Sequence, residues 1–108
     1  MNQAMSDELV KGLRTLFEKY LVSIILYGSV ARGTETSESD IDIAIILKDA
    51  KNIDVTERLL DFTVALDLKY DKVFSVVDID YNEFQKWQMV SPFYNNLKKD
   101  GVVLWTAA

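Results

Sequence analysis

The sequence predicts an α/β (α+β) domain: a small mixed β-sheet flanked by helices. Three observations predict it. Apolar residues make up 49 % of the 108 residues, enough to build one core. Two short apolar, β-branched runs lie close together near the start of the chain. Beyond them, segments with helical periodicity, each opened by a capping residue, alternate with further short apolar runs. The order reads α-β-loop-β-α-β-α-α-β, the pattern of a layered domain. No repeat, low-complexity tract or linker interrupts it, so residues 1–108 read as one domain.

The first helix follows from Leu9, Leu13, Leu16 and Tyr20, spaced four, three and four, with Ser6 or Asp7 as its expected cap. Leu21 to Tyr27 is apolar and partly β-branched, a buried strand ended by Gly28-Ser29. Arg32 to Ser39 is a polar loop with one helical turn expected at its start. Asp40 to Leu47 is the second strand. Ile41, Ile43, Ile45 and Leu47 share one face, and Asp40, Asp42, Ala44 and Ile46 share the other. Asp54-Val-Thr-Glu57 is a capping-box-like start for a helix that places Val55, Leu59, Phe62 and Leu66 on one side. Val73 to Ile79 is a third strand, parallel to the second if the intervening helix is a crossover. Asp80 opens another helix, Ser91-Pro92 a last one with Pro at its tolerated first position, and Val102 to Trp105 is a short final strand.

Composition narrows the chemistry. Twelve Lys/Arg against seventeen Asp/Glu give a net charge of −5, so no direct nucleic-acid binding is expected. There is no Cys and no His. That removes disulfides, thiol nucleophiles, His-based triads and Cys/His metal sites. Catalysis would rest on carboxylates, hydroxyls, Lys/Arg, backbone amides and hard cations. The first ten residues are polar and mixed in charge, unlike a signal peptide. The apolar run Leu21 to Tyr27 is far shorter than a membrane span. A cytoplasmic location and no membrane association are the expectation.

Two motifs stand out. Asp40-x-Asp42 places two carboxylates about 6.6 Å apart at Cα on one strand face. At about 5 Å between charges and an effective dielectric near 20, their repulsion costs about 3 kcal/mol. A divalent cation such as Mg²⁺, which prefers carboxylate and phosphate oxygens, would offset it. An isolated pair of this kind is more often a solvated strand end. Gly28-Ser29 just after a strand is the second motif: glycine lets backbone amides approach an anion, and Ser adds a hydroxyl. Gly-Ser turns are common, so this too is weak alone. Joined as Gly-Ser-x₁₀-Asp-x-Asp, the two put a phosphate cradle beside a metal dyad, as attack on a nucleoside triphosphate requires.

Leu26-Tyr-Gly-Ser-Val-Ala-Arg-Gly-Thr34 followed by Ser39-Asp-Ile-Asp-Ile43 resembles the minimal nucleotidyltransferases of the DNA-polymerase-β-like superfamily, whose small bacterial members (MntA-type antitoxins) pair with HEPN-domain toxins. The likeness extends from the leading helix to Lys98-Lys-Asp-Gly-Val-Val-Leu-Trp105. It implies ATP as nucleotide substrate, two Mg²⁺ ions, and transfer of AMP to an acceptor hydroxyl on a partner protein such as a HEPN toxin. Gly28 and Ser29 would hold triphosphate, Arg32 would support the loop or contact phosphate, and Asp40 and Asp42 would bind metal and carry catalysis.

One departure matters. The superfamily adds a third carboxylate from a later strand, and that position falls on Ser75, a poor ligand and base. Asp78 matches a second acidic position of the pattern and is the remaining candidate, although its strand parity is opposite. Two alternatives follow. One is a weakened or inactive nucleotidyltransferase-fold antitoxin that acts by contact. The other is a small-molecule, antibiotic-type nucleotidyltransferase, whose missing helical domain a homodimer could replace. Tyr81, Phe84 and Trp87 read as a core stripe, with partner docking as the other reading.

Overall fold

The computed structural model describes residues 1–107. The elements run α1 (Gln3–Phe17), a 3-10 turn (Glu18–Tyr20), β1 (Leu21–Tyr27), α2 (Gly28–Arg32), β2 (Ile41–Leu47), α3 (Val55–Tyr70), β3 (Phe74–Asp80), α4 (Tyr81–Trp87), α5 (Pro92–Asp100) and β4 (Val102–Thr106). The sheet order is β3-β2-β1-β4. β1 pairs antiparallel with both β2 and β4, and β2 pairs parallel with β3. The sheet is therefore mixed, as the sequence predicts.

Period-two alternation gives the sheet two apolar faces. Ile24, Leu26, Ile41, Ile43, Ile45 and Phe74 point to one side, where Leu9, Leu13 and Phe17 of α1 and Leu59 and Leu66 of α3 cover them. Ile25, Ala44, Ile46 and Ile79 point to the other, covered by Leu97 of α5, with Tyr81 and Phe84 of α4 packed against them. Tyr81 and Phe84 thus bear out the core reading of the aromatic stripe, while Trp87 is 42 % exposed.

The caps explain most boundaries. Asp54 Oδ1 accepts from the Glu57 amide at 2.9 Å, Asp80 Oδ2 from the Glu83 amide at 3.0 Å, and Ser91 Oγ from the Tyr94 amide at 3.3 Å. Element ends differ in places from the sequence reading: the second strand starts at Ile41, with Asp40 just before it. The first helix is capped by Asn2, whose Oδ1 accepts from the Met5 amide at 2.8 Å, rather than by Ser6 or Asp7. Its periodicity stops at Phe17, and Tyr20 lies in the 3-10 turn. The third strand starts one residue late, at Phe74, because Asp67 Oδ1 accepts the Phe74 amide at 2.8 Å and sets the entry to the sheet.

Strand directions decide where chemistry can sit. The C-terminal end of β1 and the N-terminal ends of β2, β3 and β4 converge at one end of the sheet. There Tyr27 is opposite Asp42, and Asp42 is opposite Ser75. Cross-strand partners share a face, so Tyr27, Asp42 and Ser75 form one row on the α4/α5 side. Among the described residues, no helix is long and apolar enough to cross a membrane.

Candidate active site

The row is built around Asp42. Its strand neighbours Ile41 and Ile43 are buried, which drives β2 into the sheet and carries Asp42 to a half-buried position. Asp40 lies just before β2 and is exposed. Ser75 Oγ donates to Asp40 Oδ2 at 3.3 Å, so the two acidic residues and the serine converge. Burial first, then the nearby Asp40 charge, push the Asp42 carboxyl above the ordinary carboxylate range, and Arg32 pulls it back. Burial, with a smaller contribution from Asp42, raises the Tyr27 phenol.

The turn from β1 into α2 presses on Asp42. Gly28 has φ +74°, a left-handed conformation that side chains disfavour. A Cβ there would collide with Asp42 Oδ2 and lie 3.1 Å from its Cγ. The backbone favours glycine, and a Cβ would push the Asp42 carboxylate aside. α2 follows at once and is closed by Gly33 in the left-handed region, φ 71°, with the Thr34 amide donating to the Ser29 carbonyl at 3.0 Å. The helical turn expected at the start of the Arg32–Ser39 loop lies earlier, over Gly28–Arg32. The half-buried Ser29 follows Gly28 directly in α2, one residue from the contact with Asp42. Gly28→Ala is expected to cost about 1–2 kcal/mol in the left-handed backbone and to displace the Asp42 carboxylate. Urea unfolding and single-turnover transfer measure the two effects. Unaltered transfer in the destabilised variant would show that the contact serves folding alone.

Gly28, Ser29, Arg32, Asp40 and Asp42 are thus brought together. Asp78 is not. It pairs with Ile45, whose side chain lies in the α1/α3 core, and it borders a shallow groove with Lys51, Val55 and Asp80. Strand parity puts it on the other face from Asp42, and three residues of strand put it farther from the dyad end. Ser75 occupies the adjoining position instead.

The donor set suits a hard divalent cation. An exposed and a half-buried carboxylate beside a hydroxyl supply oxygen ligands and leave room for water and phosphate, the usual manner of Mg²⁺ binding. Among the described residues no group of three or more acidic side chains gathers to enclose an ion, so water and phosphate oxygens would complete the shell.

A cleft of about 300 Å³ opens beside the row, between Tyr27, Gly28 and Arg32 on one wall and Phe93, Asn96 and Asp100 of α5 on the other. Sequence reasoning did not single out Asn96 or Asp100. One available signal was Asp100 itself, an acid in a helix's last turn, where the macrodipole disfavours it.

Comparison with known proteins finds relatives by sequence and by fold. Residues 6–99 match the nucleotidyltransferase domain family. A Methanocaldococcus jannaschii protein named as a candidate protein adenylyltransferase is 33 % identical over 98 residues, covering 91 % of this chain and 92 % of the relative. Among solved structures, a toxin-antitoxin crystallised with AMP-PNP is similar at TM-score 0.61 and 25 % identity, covering 94 % of this chain and 73 % of the other. A tri-AMPylated Shewanella oneidensis HEPN toxin in complex with its MNT antitoxin gives TM-score 0.57 at 25 % identity, over 99 % and 74 % of the two chains. The fold and the site define a polymerase-β-like nucleotidyltransferase core, and the chain belongs to the nucleotidyltransferase domain family.

Proposed function

We propose that this protein transfers the AMP moiety of ATP to a hydroxyl of a partner protein, and that the partner is a HEPN-type toxin. The observation that carries the reading is the contact between Gly28 and Asp42. The turn suited to phosphate and the carboxylate suited to metal are packed so closely that a single methyl group would separate them. The adenylyltransferase name of the Methanocaldococcus relative and the AMPylated toxin seen with the Shewanella antitoxin support it.

The Gly28 turn and Ser29 hold the triphosphate through amide and hydroxyl donors, and Arg32 neutralises its charge. Asp40 and Asp42 would hold two Mg²⁺ ions, which supply charge neutralisation on the phosphates and on the attacking and leaving oxygens. The acceptor oxygen forms a bond to the α-phosphorus, the bond from that phosphorus to the β-bridging oxygen breaks, and pyrophosphate departs. The hydroxyl proton passes to Asp40 or solvent, because Ser75 offers no base.

Incubation with labelled ATP, Mg²⁺ and the product of an adjacent gene tests the reading. Label should enter the partner with wild-type protein and not with Asp40→Asn. Equal labelling by both would defeat it.

Ser75 beside the dyad favours a second reading, an antitoxin that has lost transfer and acts by contact. Neutralisation of the partner by a folded Asp40→Asn/Asp42→Asn protein would support contact, and its loss supports chemistry.

A further inference from the structure

The cleft between α2 and α5 has walls of opposite charge. Arg32 stands on the α2 side and Asp100 on the α5 side. Asp100 forms no ion pair among the described residues, where the one salt bridge is Lys69–Glu8. It sits in the last turn of α5, the end of a helix that repels anions. A carboxylate kept there without a partner breaks a local rule that the fold does not need broken. Asn96, one turn earlier on the same helix, is exposed and lines the same cleft, and among the described residues its side-chain amide has no hydrogen-bonded partner. Leu97 between them is buried against Ile25, which fixes the direction in which both polar groups face. The two walls meet through aromatic rings: Tyr27 and Phe93 lie edge to face at 5.4 Å between centroids.

We infer that this cleft seats the nucleoside of the triphosphate, with Asn96 and Asp100 hydrogen-bonding its base edge or ribose hydroxyls. The assignment rests on the nucleotide reading above and deepens it. Charge sets the orientation. Phosphates belong on the Gly28/Arg32 wall, and Asp100 would repel them from the opposite one. An acceptor-only carboxylate matches N–H or O–H donors, which a nucleoside has and a phosphate chain lacks. The Asn96 amide offers one donor and one acceptor side by side, the complement of an adenine edge. The Tyr27 and Phe93 rings supply apolar surface for a base. The volume of about 300 Å³ is at the small end of the range for small-molecule pockets, in keeping with part of a nucleotide rather than all of it.

Calorimetry with ATP and with inorganic tripolyphosphate, both with Mg²⁺, tests the assignment. Asn96→Ala and Asp100→Ala should each weaken ATP about tenfold. Tripolyphosphate should bind them as it binds wild type, or more tightly to Asp100→Ala, since a negative charge has gone. Arg32→Ala should weaken both ligands. Both α5 positions are exposed, so Asn96→Ala should keep the wild-type melting curve and Asp100→Ala should match or exceed it. Unchanged ATP affinity in the α5 variants, or a parallel loss of tripolyphosphate, overturns the assignment. A wild type that binds neither ligand sinks the nucleotide reading itself, and this assignment with it.

Discussion

Asp42→Asn should abolish transfer while leaving the metal-free fold intact or firmer. The transfer side is the larger effect. If the carboxylate's share in neutralising the reacting phosphates is worth about 4 kcal/mol, single-turnover rate falls about 10³-fold. The stability side has a definite sign. In the folded protein the Asp42 carboxyl is raised by burial and by Asp40, so the folded state binds its proton more tightly than the unfolded state does. Its ionised form therefore costs stability at neutral pH, and the cost disappears as pH falls through the raised folded value toward the unfolded one. Asn carries no charge at any pH. Without divalent ions the variant should melt at or above wild type at neutral pH, and the gap should close as the solution is acidified. Adding Mg²⁺ should raise the wild-type melting temperature and leave the variant unmoved, since only the intact dyad binds the ion preferentially when folded. A variant that melts well below wild type in EDTA would show that Asp42 serves the fold and not the ion.

That prediction was accessible because the dyad announces itself. Two acids inside a run of isoleucines are a local conflict, and the structure resolves it by placing Asp40 before the strand and Asp42 at its first solvated rung. The strand runs and the caps Asp54, Asp80 and Ser91 were legible for a similar reason, since each follows from neighbours within four residues. The single-residue shift of β3 was not. It follows from Asp67 reaching the Phe74 amide across a turn, and a hydrophobic run alone does not show which residue enters the sheet first. The second wall of the cleft was out of reach as well. Asn96 and Asp100 face Gly28 because Leu97 packs on Ile25. That pairing joins elements about seventy residues apart, where neither periodicity nor a cap leaves a trace. Even so, Asp100 in the last turn of a helix was a misfit that could have been flagged.

Ser75→Asp should do the reverse of Asp42→Asn: gain transfer and lose metal-free stability. Position 75 lies opposite Asp42 in the parallel pair, and its hydroxyl already reaches Asp40. A carboxylate there would stand beside both members of the dyad. In EDTA a third negative charge at a half-buried rung repels two others, so melting temperature should fall and the Asp42 carboxyl should be driven still higher. With Mg²⁺ the same charge becomes a ligand, and the melting temperature should recover. Transfer to the partner should rise about tenfold or more, because a positioned base for the acceptor hydroxyl contributes about 10²–10⁴-fold when nothing else supplies it. Ser75→Asn is the control, since it matches the shape without the charge and should give neither effect. Recovery of stability with Mg²⁺ but no gain in rate would show that the ion site was completed and that proton removal was never the limiting step. A rate gain shared by Ser75→Asn would locate the effect in shape rather than charge, and would remove the reason for reading Ser75 as the site's missing acid.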